Sequence, residues 1–374
     1  MRYKNLNNIK GAVIIASFMC IVFTGCKDDA TSTPSCLNEY NLSPLLANYA
    51  DSIILPRYTA FSAQYDELYA AGQAFLASPS TQLLADFKNE YKATYLSWQS
   101  ISSFDFGPAE EVFLINTFNN FPLNEGKAYA DALEGNLDFS SPEDYNKGLP
   151  LLDYFLFGLA KGDVATVDSF DTNKKLVEYT QAVLDDMKTK LGQTVINWQS
   201  YKSTFVSSTG TKDGESISLL VNALNKDYEY IKRNKVGVPS GVLSLGFTNP
   251  NEVEAYHSAI SLELAAAAVE SSRTIFEGIA PDGSNGIGLD DVLRELNADK
   301  NGQNLTDVIL GQYSLIEEKL TNVEGSLSDA VDQDKEDVIS LYNALSEQVI
   351  YLKSDLPSVM CIPITYVDNP SDSD

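Results

Sequence analysis

Apolar residues recur every three or four positions along most of this chain, and that period leaves little choice of architecture. From Ser80 one stripe runs through Leu84, Phe87, Tyr91, Tyr95, Trp98 and Ile101, in steps of 3, 4, 4, 3 and 3. Just before it, Phe61, Tyr65, Leu68, Gly72 and Phe75 step by 4, 3, 4 and 3. Such steps give a helix one apolar face, whereas a strand would alternate. The pattern returns over 172–200 through Leu176, Thr180, Val183, Met187, Leu191 and Trp198, and over 328–354 through Val338, Leu341, Leu345, Val349 and Leu352. Pro56 falls inside the first helical region, which it should kink or restart, and Pro357 should stop the last helix. The alanine-rich stretch 255–277 reads as a helix whose thin face at 265–268 lets another helix approach. Acidic, Gly-containing 282–290 and 299–304 read as turns, and only 361–368 (CIPITYVD) looks extended. Turn residues cluster at 203–216, the best linker. The expectation is an all-α protein of two antiparallel helical bundles packed side by side, 41–205 and 206–360. A short extended C-terminal segment over 361–374 would follow.

The first residues have the parts that export requires. Arg2, Lys4 and Lys10 supply positive charge, and residues 12–23 are an apolar run too short to span a bilayer. The run ends in Phe23-Thr24-Gly25-Cys26, which resembles the lipobox of bacterial lipoproteins, with Phe23 in place of the usual Leu. Residues 1–25 are therefore expected to be a lipoprotein signal peptide and Cys26 the lipidated N-terminus. Two or three acyl chains would anchor the protein stably to a membrane. Lys27-Asp28-Asp29 resembles the acidic tether of surface lipoproteins in the Bacteroidetes, and 26–40 reads as a flexible tether. The expected place is the cell envelope, as an outer-membrane lipoprotein that is periplasmic or surface-exposed.

Removing residues 1–25 leaves 374 − 25 = 349 residues, more than one hydrophobic core usually serves. The removed segment carries three of the 26 basic residues and none of the 52 acids, so the mature charge is 23 − 52 = −29. A chain this acidic repels phosphate backbones, which excludes nucleic acid as a partner. Of four cysteines, Cys20 leaves with the signal and Cys26 is the anchor. Cys36 and Cys361 remain, and two thiols in an oxidising compartment read as a disulfide.

Several longer stretches look like one family. Trp98, Phe104-Asp105-Phe106-Gly107-Pro108, Asn119-Asn120-Phe121-Pro122 and Gly148-Leu-Pro-Leu-Leu-Asp153-Tyr-Phe-Leu-Phe-Gly158 resemble the imelysin family, also called M75 peptidases. So do Tyr230-Ile-Lys-Arg-Asn-Lys-Val-Gly-Val-Pro239 and Val253-Glu-Ala-Tyr-His-Ser-Ala-Ile-Ser261, and together they cover roughly 42–368. The resemblance implies two helical bundles related by an ancient duplication, a site between them, and a link to iron uptake. It makes iron the implied cofactor and an outer-membrane iron transporter the implied partner. The family signature Gly-x-His-x-x-Glu falls on Gly148, Pro150 and Asp153, so the imidazole is lost and the acid shortened.

That loss narrows the chemistry. A catalytic zinc usually takes three protein ligands, mostly His, and His257 is the single histidine of the chain. No HExxH pair and no GxSxG elbow can be drawn. The candidate binding residues are Asp153, set among Leu, Tyr and Phe, and Glu254, His257 and Ser261, whose i, i+3, i+7 spacing would share a helical face. Arg233 and Lys235 are the candidate partners of a buried Asp153. The leading expectation is a non-enzymatic binding role in iron or haem acquisition. A metallopeptidase-like hydrolase and an interaction scaffold are the alternatives.

Overall fold

The computed structural model describes residues 37, 40–139 and 146–366. The protein is helical, and its described residues form one compact unit. Helix Leu55–Ala77 packs against Thr81–Trp98 and against the 34-residue helix Lys174–Ser207. A second set brings Ser261–Phe276 and Lys335–Val349 against Leu305–Asn322, with Ser216–Tyr230 beside them. Among the described residues, no helix is long and apolar enough to cross a membrane.

Local chemistry explains the boundaries. The Ser80 hydroxyl accepts from Leu83 N at 3.3 Å and caps Thr81–Trp98, while Asn173 Oδ1 accepts from Lys175 N at 3.1 Å and Leu176 N at 3.4 Å. Both helices then bury the stripes read from the sequence, Leu84 to Trp98 and Leu176 to Trp198. Pro56 sits in the first turn of its helix, where a missing N–H costs nothing, directly after a π-helical stretch Tyr49–Ile54. Lys174–Ser207 runs further than the turn-rich composition suggests, so the linker shrinks to 208–215.

Ties cross between the two helical sets. Tyr49 Oη donates to Ile275 O at 2.7 Å. Arg57, buried, donates to Ser271 Oγ at 3.0 Å and Thr274 Oγ1 at 2.8 Å, and burial lowers its pKa to about 10. After Cys361, residues 362–366 have no regular secondary structure, and the remainder of the expected extended segment lies outside the described residues. The Asn222 side chain donates to Pro363 O at 2.9 Å and accepts from Thr365 N at 2.8 Å, standing in for a neighbouring strand. Cys361 is disulfide-bonded, while its expected partner Cys36, like Cys26 and the signal segment, lies outside the described residues. Within 299–304 the turn is a short hairpin, Asp299–Lys300 with Gln303–Asn304, closed by Asn301 and Gly302 at positive φ.

One expected helix is wrong at its start. The alanine-rich helix begins at Ser261, not 255, and residues 253–259 form an irregular turn with Ala255 and Ala259 at φ of 53° and 57°. Alanine favours a helix and resists positive φ. Tertiary bonds to Glu254, His257 and Ser258 override that preference.

Candidate functional site

Two buried carboxylates organise the junction of the helical sets. Asp153 ends the short helix Gly148–Asp153, and a π-helical stretch Tyr154–Gly158 follows it directly. Gly148 is required there, because a Cβ would lie 2.5 Å from Phe118 O and its φ is +81°. Pro150 falls in the first helical turn, where proline is tolerated. Asp153 Oδ2 accepts from His257 N at 2.8 Å; its Oδ1 accepts from Ser258 N at 3.0 Å and from Tyr91 Oη at 3.2 Å. The carboxylate thus clamps the irregular turn that replaces the expected helix start. Burial raises its pKa, opposed by the Ser258 hydroxyl and the His257 N–H.

Glu254 faces the other way. Its Oε1 accepts from Asn119 Nδ2 at 2.8 Å and Tyr230 Oη at 3.3 Å, and its Oε2 pairs with Lys235. Both members of the pair are buried. Tyr95 Oη donates to Asn119 Oδ1 at 2.6 Å, and the Tyr91 and Tyr95 rings meet edge-on at 5.8 Å. The two acids therefore belong to one polar network, Asp153 through Tyr91 and Glu254 through Asn119 and Tyr95.

The structure separates the remaining candidates. Glu254, His257 and Ser261 do not share a helical face, since the first two precede the helix. His257 Nε2 bonds Glu125 Oε1 at 2.7 Å, and its ring packs on Tyr154 and Tyr256. Ser261 Oγ is buried with no hydrogen-bond partner. Asp153 pairs with neither Arg233 nor Lys235; Lys235 serves Glu254, and the Arg233 side chain makes no hydrogen bond or ion pair among the described residues.

Two cavities flank the network. One of about 250 Å³ lies on the Asp153 side, between Pro122, Glu125, Pro150, Tyr154 and His257. The other, about 290 Å³, lies on the Glu254 side and is walled by Trp98, Asn119, Asp227, Tyr230, Arg233 and Tyr366. Sequence reading missed Asp227, Tyr230, Asn119 and Trp98 as site residues. The signal was present: Ala223, Lys226, Asp227, Tyr230, Arg233 and Asn234 recur at helical spacing where a core-facing stripe would be apolar. Asp227 Oδ2 accepts from Ser103 Oγ at 2.6 Å and Ser102 Oγ at 3.2 Å, and burial raises its pKa.

A resident metal does not suit these residues. The four oxygens of Asp153 and Glu254 are already engaged by protein donors. Among the described residues, no group of three or more His, Cys, Asp and Glu side chains could hold a metal ion.

The protein is thus helical, with a buried polar network and two cavities where its two helical sets meet. A family profile described as imelysin, peptidase M75, matches residues 54–352, and the chain belongs to that family. Two solved structures share the fold. One is described as an iron-regulated protein A precursor from Parabacteroides distasonis ATCC 8503, with a TM-score of 0.69 and 16% identity over 85% of this chain and 95% of that one. The other is an imelysin-like protein from Psychrobacter arcticum 273-4, with a TM-score of 0.67 and 19% identity over 87% and 97%. No curated protein matches the sequence.

Proposed function

We propose that this chain is a lipid-anchored, non-enzymatic binding protein of the cell envelope that serves iron or haem acquisition. The carrying observation is the state of the signature acid. Asp153 stands where the family has Glu, yet both its oxygens hold the 257–258 backbone and Tyr91, and Pro150 removes the neighbouring imidazole. A carboxylate spent on backbone donors serves neither as a general base nor as a metal ligand. The link to iron is supported by family membership and by the description of the Parabacteroides protein as iron-regulated. The anchor is supported by Phe23-Thr24-Gly25-Cys26 after an apolar run. An outer-membrane transporter is the partner that fits this reading.

In the test, a strain lacking the gene is grown under iron limitation and complemented with wild-type or Cys26→Ala chains. Uptake of iron from ferric salts or haem should fall in the deletion, return with the wild type, and stay low with the unacylated variant. Unchanged uptake in the deletion would overturn the iron role. Chelator-sensitive cleavage of unfolded casein by the purified chain would overturn the non-enzymatic one.

A further inference from the structure

The cavity on the Glu254 side contains one unanswered positive charge and one carboxylate oxygen left open. The Arg233 side chain, partly exposed, has no hydrogen-bond or ion-pair partner among the described residues, although Asp105, Asp227 and Glu229 line the same space and Glu254 bonds two of its wall residues, Asn119 and Tyr230. Those acids are engaged elsewhere. Asp105 pairs with Lys226 at 2.8 Å, Glu229 with Lys232 and Lys353, and Glu254 with Lys235. Asp227 uses only Oδ2 for its two serine hydroxyls, and its Oδ1 has no protein donor. The Asn234 amide, also in the wall, makes no hydrogen bond. Trp98, Ile115, Tyr230 and Tyr366 supply the aromatic and apolar wall, with Gln99, Ser102 and Asn119 as neutral polar groups among them.

We infer that this cavity binds a small zwitterion of the amino-acid class with an apolar side chain, its carboxylate on Arg233 and its ammonium on Asp227. A guanidinium matches a carboxylate with two parallel N–H bonds, which a purely cationic ligand could not accept. A trianion would place surplus negative charge in a protein of net charge −26 beside Asp227 and Glu254. A simple cation would leave Arg233 unanswered. One charge of each sign leaves no surplus, and the aromatic walls suit an apolar body. At about 290 Å³ the space is at the lower end of the roughly 300 to 1,000 Å³ common for ligand pockets, which favours a single amino acid or a small dipeptide. The inference does not depend on the iron reading.

The test uses the mature chain in iron-free buffer, so that its failure says nothing about iron. The twenty amino acids and apolar dipeptides are screened by thermal shift, and hits are titrated calorimetrically. At least one apolar amino acid should bind saturably. Removing its carboxylate (phenethylamine in place of phenylalanine) or its ammonium (3-phenylpropionate) should weaken binding by about tenfold or more, the worth of a charge-assisted hydrogen bond. Arg233→Met should weaken the amino acid to the same degree, spare the amine-only analogue, and leave the unliganded Tm near wild type, since Arg233 holds nothing. Asp227→Asn should show the reverse selectivity. If no amino acid or dipeptide binds, or if the capped analogues bind as tightly as the zwitterion, the inference is wrong.

Discussion

Asp290 shows how one carboxyl in this protein works against the fold. It lies in the first turn of the short helix Leu289–Glu295, its Oδ1 is buried with no partner among the described residues, and Asp291 stands beside it. Burial first, then the Asp291 charge, push its pKa up to about 6. A folded-state pKa above the unfolded one means that stability is fully present below the unfolded value and is lost as pH rises through about 6. Asp290→Asn should therefore raise Tm most at pH 8, by an amount worth roughly 1 kcal/mol once partial exposure is allowed for. The gain should shrink toward zero near pH 4. A gain that grows on acidification would show that another group controls this region. The buried Glu254–Lys235 pair is the opposite case. Each ion there has its counter-charge, Glu254 accepts further bonds from Asn119 and Tyr230, and removing one partner would leave a charge stranded.

At the scale of elements, the turn 253–259 explains what the sequence could and could not disclose. The stripes ending at Trp98 and Trp198 are legible because a single face of each helix is buried, and period alone reports that. The start of the alanine-rich helix is not legible, because Asp153 reaches it from a hundred residues away and draws its N–H groups out of helical register. The π-helical stretches Tyr154–Gly158 and Ile231–Gly237 are hidden for a related reason. One extra residue in a turn leaves the surrounding apolar period almost unchanged. Both adjoin the site, where such turns re-aim side chains. From sequence, Asp153 could face outward or be buried with a partner such as Arg233 or Lys235; it is buried, and its partners are the 257–258 backbone and Tyr91, which carry no local sequence signature. Gly158 tests this local geometry. A Cβ there would lie 2.4 Å from His257 Nδ1, so Gly158→Ala should displace the imidazole from Glu125 and cost about 1–3 kcal/mol. In a chain that already carries His257→Ala, most of that cost should vanish in denaturant titrations. Equal costs in both backgrounds would place the strain elsewhere.

The whole molecule is closed by ties between sequence-distant segments. Tyr49 and Arg57 bind the helix Ser261–Phe276, and Cys361 is disulfide-bonded. We propose Cys36 as its partner, closing a loop of 361 − 36 = 325 residues. The chain-entropy account gives such a bond about 6 kcal/mol, less any native-state strain. In a chain that starts at residue 27, denatured without reductant, thiol reagents should label nothing, and reduction should lower Tm. Two labelled cysteines per chain before reduction would exclude the pairing.

Tyr366, which walls the larger cavity, belongs to the extended segment docked through Asn222 five residues beyond Cys361. A wall made from a helix opens only when a bundle comes apart. A wall made from a segment without regular structure opens by local unfolding, at a free energy well below that of global unfolding. Hydrogen exchange at Thr365 should then be fast beside the slow amides of Ser216–Tyr230, and the disulfide at Cys361 sets how far the peeled strand can travel. Entry to the interior is a matter of the tail letting go, while every helix around it stays in place.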